Sequence, residues 1–331
     1  MDTFDARALI TDESWGALID LRVNDPEAIV GHARRRHRRR PIAPDGRLVI
    51  VAADHPARMV VDVQGEDGRM GDRRDYLGRI MRVLQAGEVD GVMGAPDVLE
   101  ELTGLDLLAT RAGTPSLLTD RVLIGCMNRG GLSGAAFELD DRFTAYDAAG
   151  LATMGLDGGK LMVRIDPTDA ASVETLEACA KAVDGCVENK LLAFIEAFVV
   201  ERTESGYQAV RTPRALMQAV SVVAALGDSS LHTWLKLPYC EGYEQVAGAT
   251  SCPILMLGGA ARDDRNAVLA EFAAGMQAGP NVRGCLVGRN VLYPSATDPA
   301  LMARAVVYVV HEGMDPTAAL ERAAGEHHEG G

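Results

Sequence analysis

The sequence predicts a single (β/α)8 barrel of the α/β class, preceded by a helical extension. Three observations predict it: eight short β-rich apolar runs, helical periodicity in the segments between them, and polar or charged residues where most of the runs end. Eight is the strand number that closes a barrel filled by its own side chains. In order, the strands are read at Arg47–Ala53, Val89–Gly94, Arg121–Met127, Lys160–Ile165, Leu191–Ala197, His232–Leu237, Pro253–Leu257 and Arg283–Val287. Helices are read at Asp72–Gln85, Asp97–Leu102, Tyr146–Met154, Ala170–Val183, Pro213–Ala225, Asp263–Ala278 and Pro299–Glu312, each amphipathic or alanine-rich. Asp169, Thr212 and Thr297 stand where N-caps are wanted, and Pro213 suits a first helical turn. The stretch after the sixth strand is short and is given no helix.

Residues 1–45 are expected to form an N-terminal helical extension able to cover the barrel bottom, residues 46–324 the barrel, and residues 325–331 (GEHHEGG) a frayed, flexible tail. No low-complexity linker divides the chain, so one domain is favoured. An open doubly wound sheet is the alternative, but the glycine-rich dinucleotide fingerprint it often carries is missing after the first strand.

Composition narrows the class further. With 47% hydrophobic residues in 331 there is material for a large core, while no apolar run approaches the roughly 18 residues that span a bilayer. The opening Met1-Asp2-Thr3-Phe4-Asp5 has neither a basic segment nor an apolar one, so the expectation is a soluble cytoplasmic protein. The cysteines at 126, 179, 186, 240, 252 and 285 show no CxxC spacing and read as small buried hydrophobes. A formal charge of −14 opposes nucleic acid, so an anionic substrate needs a local electropositive pocket. The one basic stretch, HARRRHRRR at 32–40, has an anion- or nucleic-acid-binding reading. A solvated helix face or a partner contact is favoured over it, because the stretch precedes the barrel and has no interleaved aromatic residues. Alanine-rich helical faces point to a homo-oligomer.

A barrel enzyme builds its site at the C-terminal ends of its strands. There the first strand runs into Asp54-His55, the third into Asn128-Arg129-Gly130-Gly131, the seventh into Gly258-Gly259 and the eighth into Gly288-Arg289. The fifth contains Glu196, the sixth Lys236, and the fourth Lys160 and Arg164. Lys236, within the apolar HTWLKLPYC, is the most informative: desolvation disfavours the ammonium ion, and a neutral amine attacks carbonyls. A snorkelling or ion-paired lysine is the plain structural alternative. Lys160, in GGKLMVRID, has the same character, and two inward lysines at these positions are hard to explain as packing.

Glu196, flanked by apolar residues in FIEAF, is expected to have its pKa raised by burial toward the general acid/base range, unless it merely neutralises a core lysine. Asp54 reads as a second acid/base or as a group that orients a substrate hydroxyl or the lysine, with helix capping as its ordinary alternative. Gly258-Gly259 and Gly288-Arg289 fall where barrels present backbone N–H groups to phosphate, Arg289 adding a bidentate charge; ordinary turns are the alternative.

These segments together, ADH (53–55), GGKLMVRIDP (158–167), FIEAF (194–198), WLKLPY (234–239), LGGA (257–260) and VGRN (287–290), resemble a known group. It is that of the class I aldolases, including tagatose-bisphosphate, archaeal-type fructose-bisphosphate and sulfofructose-phosphate aldolases, over roughly residues 46–295. Within it the chain looks nearest to actinobacterial deoxyribose-phosphate-aldolase-like barrels, some of them associated with inositol breakdown. The resemblance implies that Lys236 is the Schiff-base lysine, Lys160 the second active-site lysine, Glu196 and Asp54 the acid/base pair, and Gly258, Gly259, Gly288 and Arg289 the phosphate site. His55 is a further candidate for substrate contact, and Arg129 either contacts an anionic group or anchors the NRGGLSG loop at 128–134, which has no counterpart in the better-known aldolases.

The implied reaction is cleavage or formation of a carbon–carbon bond in a phosphorylated ketose or keto-acid, with dihydroxyacetone phosphate and an aldehyde as products and no cofactor. A transaldolase with the same lysine and a non-catalytic phosphosugar-binding barrel are the alternatives. Metal-dependent chemistry would need clustered ligands, and only His55 and His232 lie near strands, the latter at the wrong end.

Overall fold

Runs of Val, Ile, Leu and Ala too short for helices and apolar on both faces form strands that must be covered on each side. The computed structural model, which describes residues 4–204, 206–295 and 297–329, shows them doing so. The strands are β1 (Leu48–Ala53), β2 (Gly91–Gly94), β3 (Val122–Cys126), β4 (Gly158–Ile165), β5 (Leu192–Thr203), β6 (Gly206–Ala209), β7 (Thr233–Pro238), β8 (Ile254–Leu257) and β9 (Val282–Val287). All except β6 pair in parallel, in the order β4-β3-β2-β1-β9-β8-β7-β5, and a β4–β5 ladder closes the ring into an eight-stranded barrel. Each of the eight expected strands is present, with ends within two residues except that β5 runs six residues past the expected Ala197. β6 is an addition: it folds back antiparallel on the long end of β5, so the FVVERT run leaves the barrel as a hairpin.

Alternate residues point to opposite faces of each strand, and the two faces build two cores. Leu48, Ile50 and Ala52 of β1, Ile124 of β3, Phe194 of β5 and Leu286 of β9 fill the barrel, while Val49, Val51 and Ala53 face the helices outside. The outer layer comprises α3 (Arg73–Ala86), α4 (Pro96–Arg111), α5 (Ala148–Thr153), α6 (Ala171–Glu188), α7 (Pro213–Val223), α8 (Tyr243–Ala247), α9 (Arg265–Gln277) and α11 (Pro299–Val307). The short α10 (Arg289–Leu292) follows β9 directly. Thr212 caps α7 as expected, accepting from the Ala215 N–H. α6 begins one residue later than expected, with Ala170 at its cap position, yet Asp169 Oδ1 still accepts the Ala171 N–H at 2.9 Å; the cap expected at Thr297 is instead Asp298, which accepts from Ala300 N. α4 runs well past the expected Leu102, and α11 gives way to a π-helical turn at Tyr308–Glu312. No helix among the described residues is long and apolar enough to cross a membrane.

The N-terminal extension contains α1 (Asp12–Asn24) and α2 (Pro26–Arg35), both packed on α4. The chain then turns under the barrel, where Ile42 and Ala43 pack against the inner core. Here the basic stretch differs from the solvated face or partner contact favoured by the sequence. Arg36 and Arg38 reach Asp157 at 2.9 Å each, and Arg39 reaches Asp90 at 2.9 Å. Asp157 precedes β4 and also accepts the Leu123 N–H of β3 at 3.0 Å; Asp90 precedes β2 and accepts the Val49 N–H of β1 at 2.7 Å. The basic run is thus an internal staple across the strand starts. Asp157→Asn leaves the Arg36 guanidinium buried without its counter-charge, and a loss of about 3 kcal/mol in the urea unfolding free energy is expected.

At the other terminus, the segment from 325 reads as a tail but continues α12 (Pro316–Glu329); residues 330–331 lie outside the described residues.

Candidate active site

Parallel pairing sets the site. Glu196 on β5 lies opposite Lys236 on β7, and Met162 on β4 opposite Glu196. Lys160 sits two residues below Met162, and so on the same inward face. Lys160 Nζ lies 2.6 Å from Glu196 Oε2 and 3.1 Å from Asp54 Oδ2, and Lys236 Nζ lies 3.0 Å from the same Glu196 oxygen. One carboxylate therefore bridges two ammonium groups. Cys126 of β3 donates its thiol to Asp54 Oδ2 at 3.1 Å.

The four charged groups differ in what they face. Lys236, Glu196 and Asp54 line a cavity of about 280 Å³ at the C-terminal mouth of the barrel. Lys160 does not reach it and is fully buried beneath, 0% exposed. Burial works to raise the pKa of Glu196, but the charges of Lys160 and then Lys236 outweigh it and hold the carboxyl at about 2. The raised value expected from an apolar strand is thus reversed by two cations that the local sequence does not reveal. Asp54 is likewise held well below the usual carboxylate range, burial being overcome first by Lys160 and then by Lys236. For Lys160 itself burial is outweighed by Asp54 and Glu196, so it stays an ammonium ion.

The glycine ends of β8 and β9 open into the same cavity. Gly258, Gly259, Gly288, Arg289 and His55 all line it, as the sequence expects, whereas Arg129 is not among the lining residues. Gly259 adopts φ +69°, a conformation that favours glycine. A Cβ on Gly288 would lie 2.3 Å from His55 Cε1 and 2.9 Å from the Ala52 carbonyl oxygen, so only glycine lets β9 pass the imidazole. Gly288→Ala is expected to push His55 out of place and to lower stability by about 1–3 kcal/mol, read as a shift in thermal unfolding. Burial pushes the pKa of His55 down to about 4; Asp54 opposes this and Arg289 reinforces it, leaving a neutral ring near pH 7 with Nδ1 unpartnered.

Several lining residues escaped the sequence reading. Arg58 ends a single 3-10 turn after β1 and reaches Asp141 at 2.9 Å, while its neighbour Arg164 of β4 lies 3.3 Å from the same acid and 3.4 Å from Glu138. Together they fasten the 128–143 segment over the mouth. Within that segment Asn128 mimics a strand residue: its Oδ1 accepts from Met162 N at 2.7 Å and its Nδ2 donates to Met162 O at 2.6 Å. Arg211, just past the β5–β6 hairpin, lines the cavity beside Gly259. Asn290, the last residue of VGRN, donates to the carbonyls of Gly258 and Ala260 at 2.7 and 3.0 Å and so ties the two glycine ends together. His232 lies at the start of β7, at the far end of the barrel from the cavity, with Nδ1 3.2 Å from the Leu191 carbonyl oxygen. The six cysteines are free and buried.

Residues 46–307 match the sequence model described as Cgl0159-like. No curated protein matches the sequence. Among solved structures, the chain is similar to Cgl0159 from Corynebacterium glutamicum, with 36% identity and a TM-score of 0.85, over 92% of this chain and 99% of that one. It is similar in fold to an archaeal fructose 1,6-bisphosphate aldolase, with 18% identity and a TM-score of 0.57, over 86% of this chain and 99% of the other. A fructose-bisphosphate aldolase from Slackia heliotrinireducens shares 14% identity with a TM-score of 0.63, over 98% of this chain and 95% of its own. At these identities the likeness to the two aldolases is one of fold: an aldolase-like (β/α)8 barrel.

Proposed function

The chain belongs to the Cgl0159-like family, and from the site it carries we propose that it is a class I aldolase, cleaving or forming a carbon–carbon bond in a phosphorylated ketose or keto-acid through a Schiff base on Lys236. One observation carries the reading: Lys236 opens into the same cavity as the glycine ends and Arg289, with its counter-ion Glu196 at 3.0 Å. A lysine kept for packing alone has no need of an open cavity with an anion-binding wall.

In this reading the substrate phosphate rests on the backbone at Gly259 and Gly288 and on Arg289. Lys236 gives up a proton and its Nζ attacks the ketone carbonyl; loss of water from the carbinolamine yields a cationic iminium. A base then takes the proton of the hydroxyl on the second carbon from the iminium, the bond between that carbon and the one next to the iminium breaks, and its electrons flow into the iminium to give an enamine. An aldehyde leaves, and protonation and hydrolysis of the enamine release dihydroxyacetone phosphate and the free lysine.

Glu196 is the assigned base, helped by Asp54. With two ammonium groups facing it Glu196 is ionised but a weak acceptor, and it strengthens when Lys236 turns away into the adduct. Lys160 reaches no substrate; it is a positioning residue that keeps Glu196 and Asp54 ionised and fixed.

Incubation with dihydroxyacetone phosphate and borohydride should add the reduced three-carbon phosphate to a single peptide, the one containing Lys236. Labelling confined to any other lysine, or none at all, rules the reading out.

A further inference from the structure

Resting on the Schiff-base reading of this site, we propose that the substrate carries one phosphoryl group only, the half beyond the cleaved bond being hydroxylated and not phosphorylated. The charges around the cavity are unevenly matched, and that imbalance carries the inference.

On the β8 and β9 side stand Arg289 and Arg211. Neither has an acidic side chain within 4.0 Å among the described residues, and Arg289 Nε is buried without a hydrogen-bond partner. Arg211 would lie 3.6 Å from a Cβ on Gly259, which puts both cations at the glycine ends. Like charges left side by side at the glycine ends ask for a multiply charged anion.

The opposite wall, over β3 and β4, is different. Arg58 and Arg164 line it, but Asp141 and Glu138 neutralise them, at 2.9 Å for Arg58–Asp141 and 3.3–3.4 Å for Arg164. Between the two walls, Lys236 and Lys160 are matched by Glu196 and Asp54. Six cations thus face four carboxylates, and both uncompensated charges are at the glycine ends. A phosphate monoester carries about −1.5 to −2 near neutral pH, which one such end balances. A second phosphate would be desolvated against a wall with no net charge, while its hydroxylated counterpart finds donors and acceptors there.

The neighbouring chamber does not alter the count. Arg262 faces it, locked to Glu271 by contacts of 2.6 and 2.7 Å.

The test uses the wild-type protein and measures the concentration for half-maximal borohydride-trapped labelling of Lys236. The probes are dihydroxyacetone phosphate, ketohexose 1-phosphates and the matching 1,6-bisphosphates, each hexose in all diastereomers at carbons 3 and 4. The best 1-phosphate should label at a concentration at least tenfold below the best bisphosphate. Labelling by a bisphosphate at an equal or lower concentration overturns the inference while leaving the Schiff-base reading standing. Absence of labelling by dihydroxyacetone phosphate and every sugar removes that reading and this inference with it. Glu138→Gln, which leaves Arg58 and Arg164 to share Asp141 alone and so gives that wall one uncompensated cation, should narrow the ratio; an unchanged ratio counts against the charge argument.

Discussion

Lys236→Ala is expected to lower kcat by a factor on the order of 10⁴ or more, since under the proposed mechanism it deletes the atom that bonds covalently to the substrate. The fold should be little affected. Glu196 keeps Lys160 at 2.6 Å, so no carboxylate is left unpaired, and the space vacated by Lys236 joins a cavity already open to water. Unfolding by urea should move by no more than about 1 kcal/mol. This separation of activity from stability is the signature of a nucleophile as opposed to a structural lysine. Lys236→Arg makes the same point: it preserves the charge beside Glu196, but a guanidinium does not form an iminium, so it should be as inactive as alanine. A variant of either kind that retains a tenth of the wild-type rate excludes Lys236 as the nucleophile.

The barrel and the positions of its charged residues were legible because each signal is local. A lysine in HTWLKLPYC or a glutamate in FIEAF contradicts the apolar run around it, and a closed parallel sheet leaves few places for such a residue except the mouth. What the contradiction does not show is the sign of the outcome. Burial alone predicts a raised pKa for Glu196, and the lowering to about 2 needs two ammonium groups brought from β4 and β7, one of them 36 positions and the other 40 positions away in the chain.

The residues missed have a shared character. Arg58 and Arg211 stand on irregular backbone with no period to betray which way they point. A signal for Arg211 did exist: VVERTESGYQAV is a run of strand residues broken by Ser-Gly, a hairpin pattern obscured because it continues the fifth strand without a break. The basic stretch was misplaced for a similar reason. A run of arginines reads as solvated until the acids it meets are known, and Asp90 and Asp157 are local only in three dimensions.

Lys160→Met should have its largest effect on stability. The variant replaces the ammonium ion that Asp54 and Glu196 share with a side chain of similar length and no charge, in a position that is 0% exposed. Glu196 keeps Lys236 at 3.0 Å, but Asp54 is left with the Cys126 thiol and an Arg58 nitrogen 4.0 Å away. Removing one partner of a buried ionic cluster costs about 3–5 kcal/mol, because the remaining charges stay desolvated.

The pH dependence shows whether ion pairing is the cause. Glu196 is at about 2 in the folded protein against about 4.3 in an unfolded chain, and Asp54 is depressed as well. Depressed carboxyl pKa values give stability that is present above the unfolded values and lost as pH falls through the folded ones. The raised pKa of Lys160 acts at the other end: its contribution is whole below the unfolded lysine value and is lost only as strongly alkaline pH passes the folded one. Without Lys160 the two carboxyls return toward ordinary values, so acidification takes less from the variant than from the wild type. The stability difference between the two proteins, measured by urea unfolding, should therefore be greatest near pH 7 and shrink between about pH 4.5 and 2.5. A difference that stays constant across that range would mean that lost packing, and not lost charge, accounts for the damage, and Lys160 would then have no claim to hold the cavity carboxylates Asp54 and Glu196 in their ionised state.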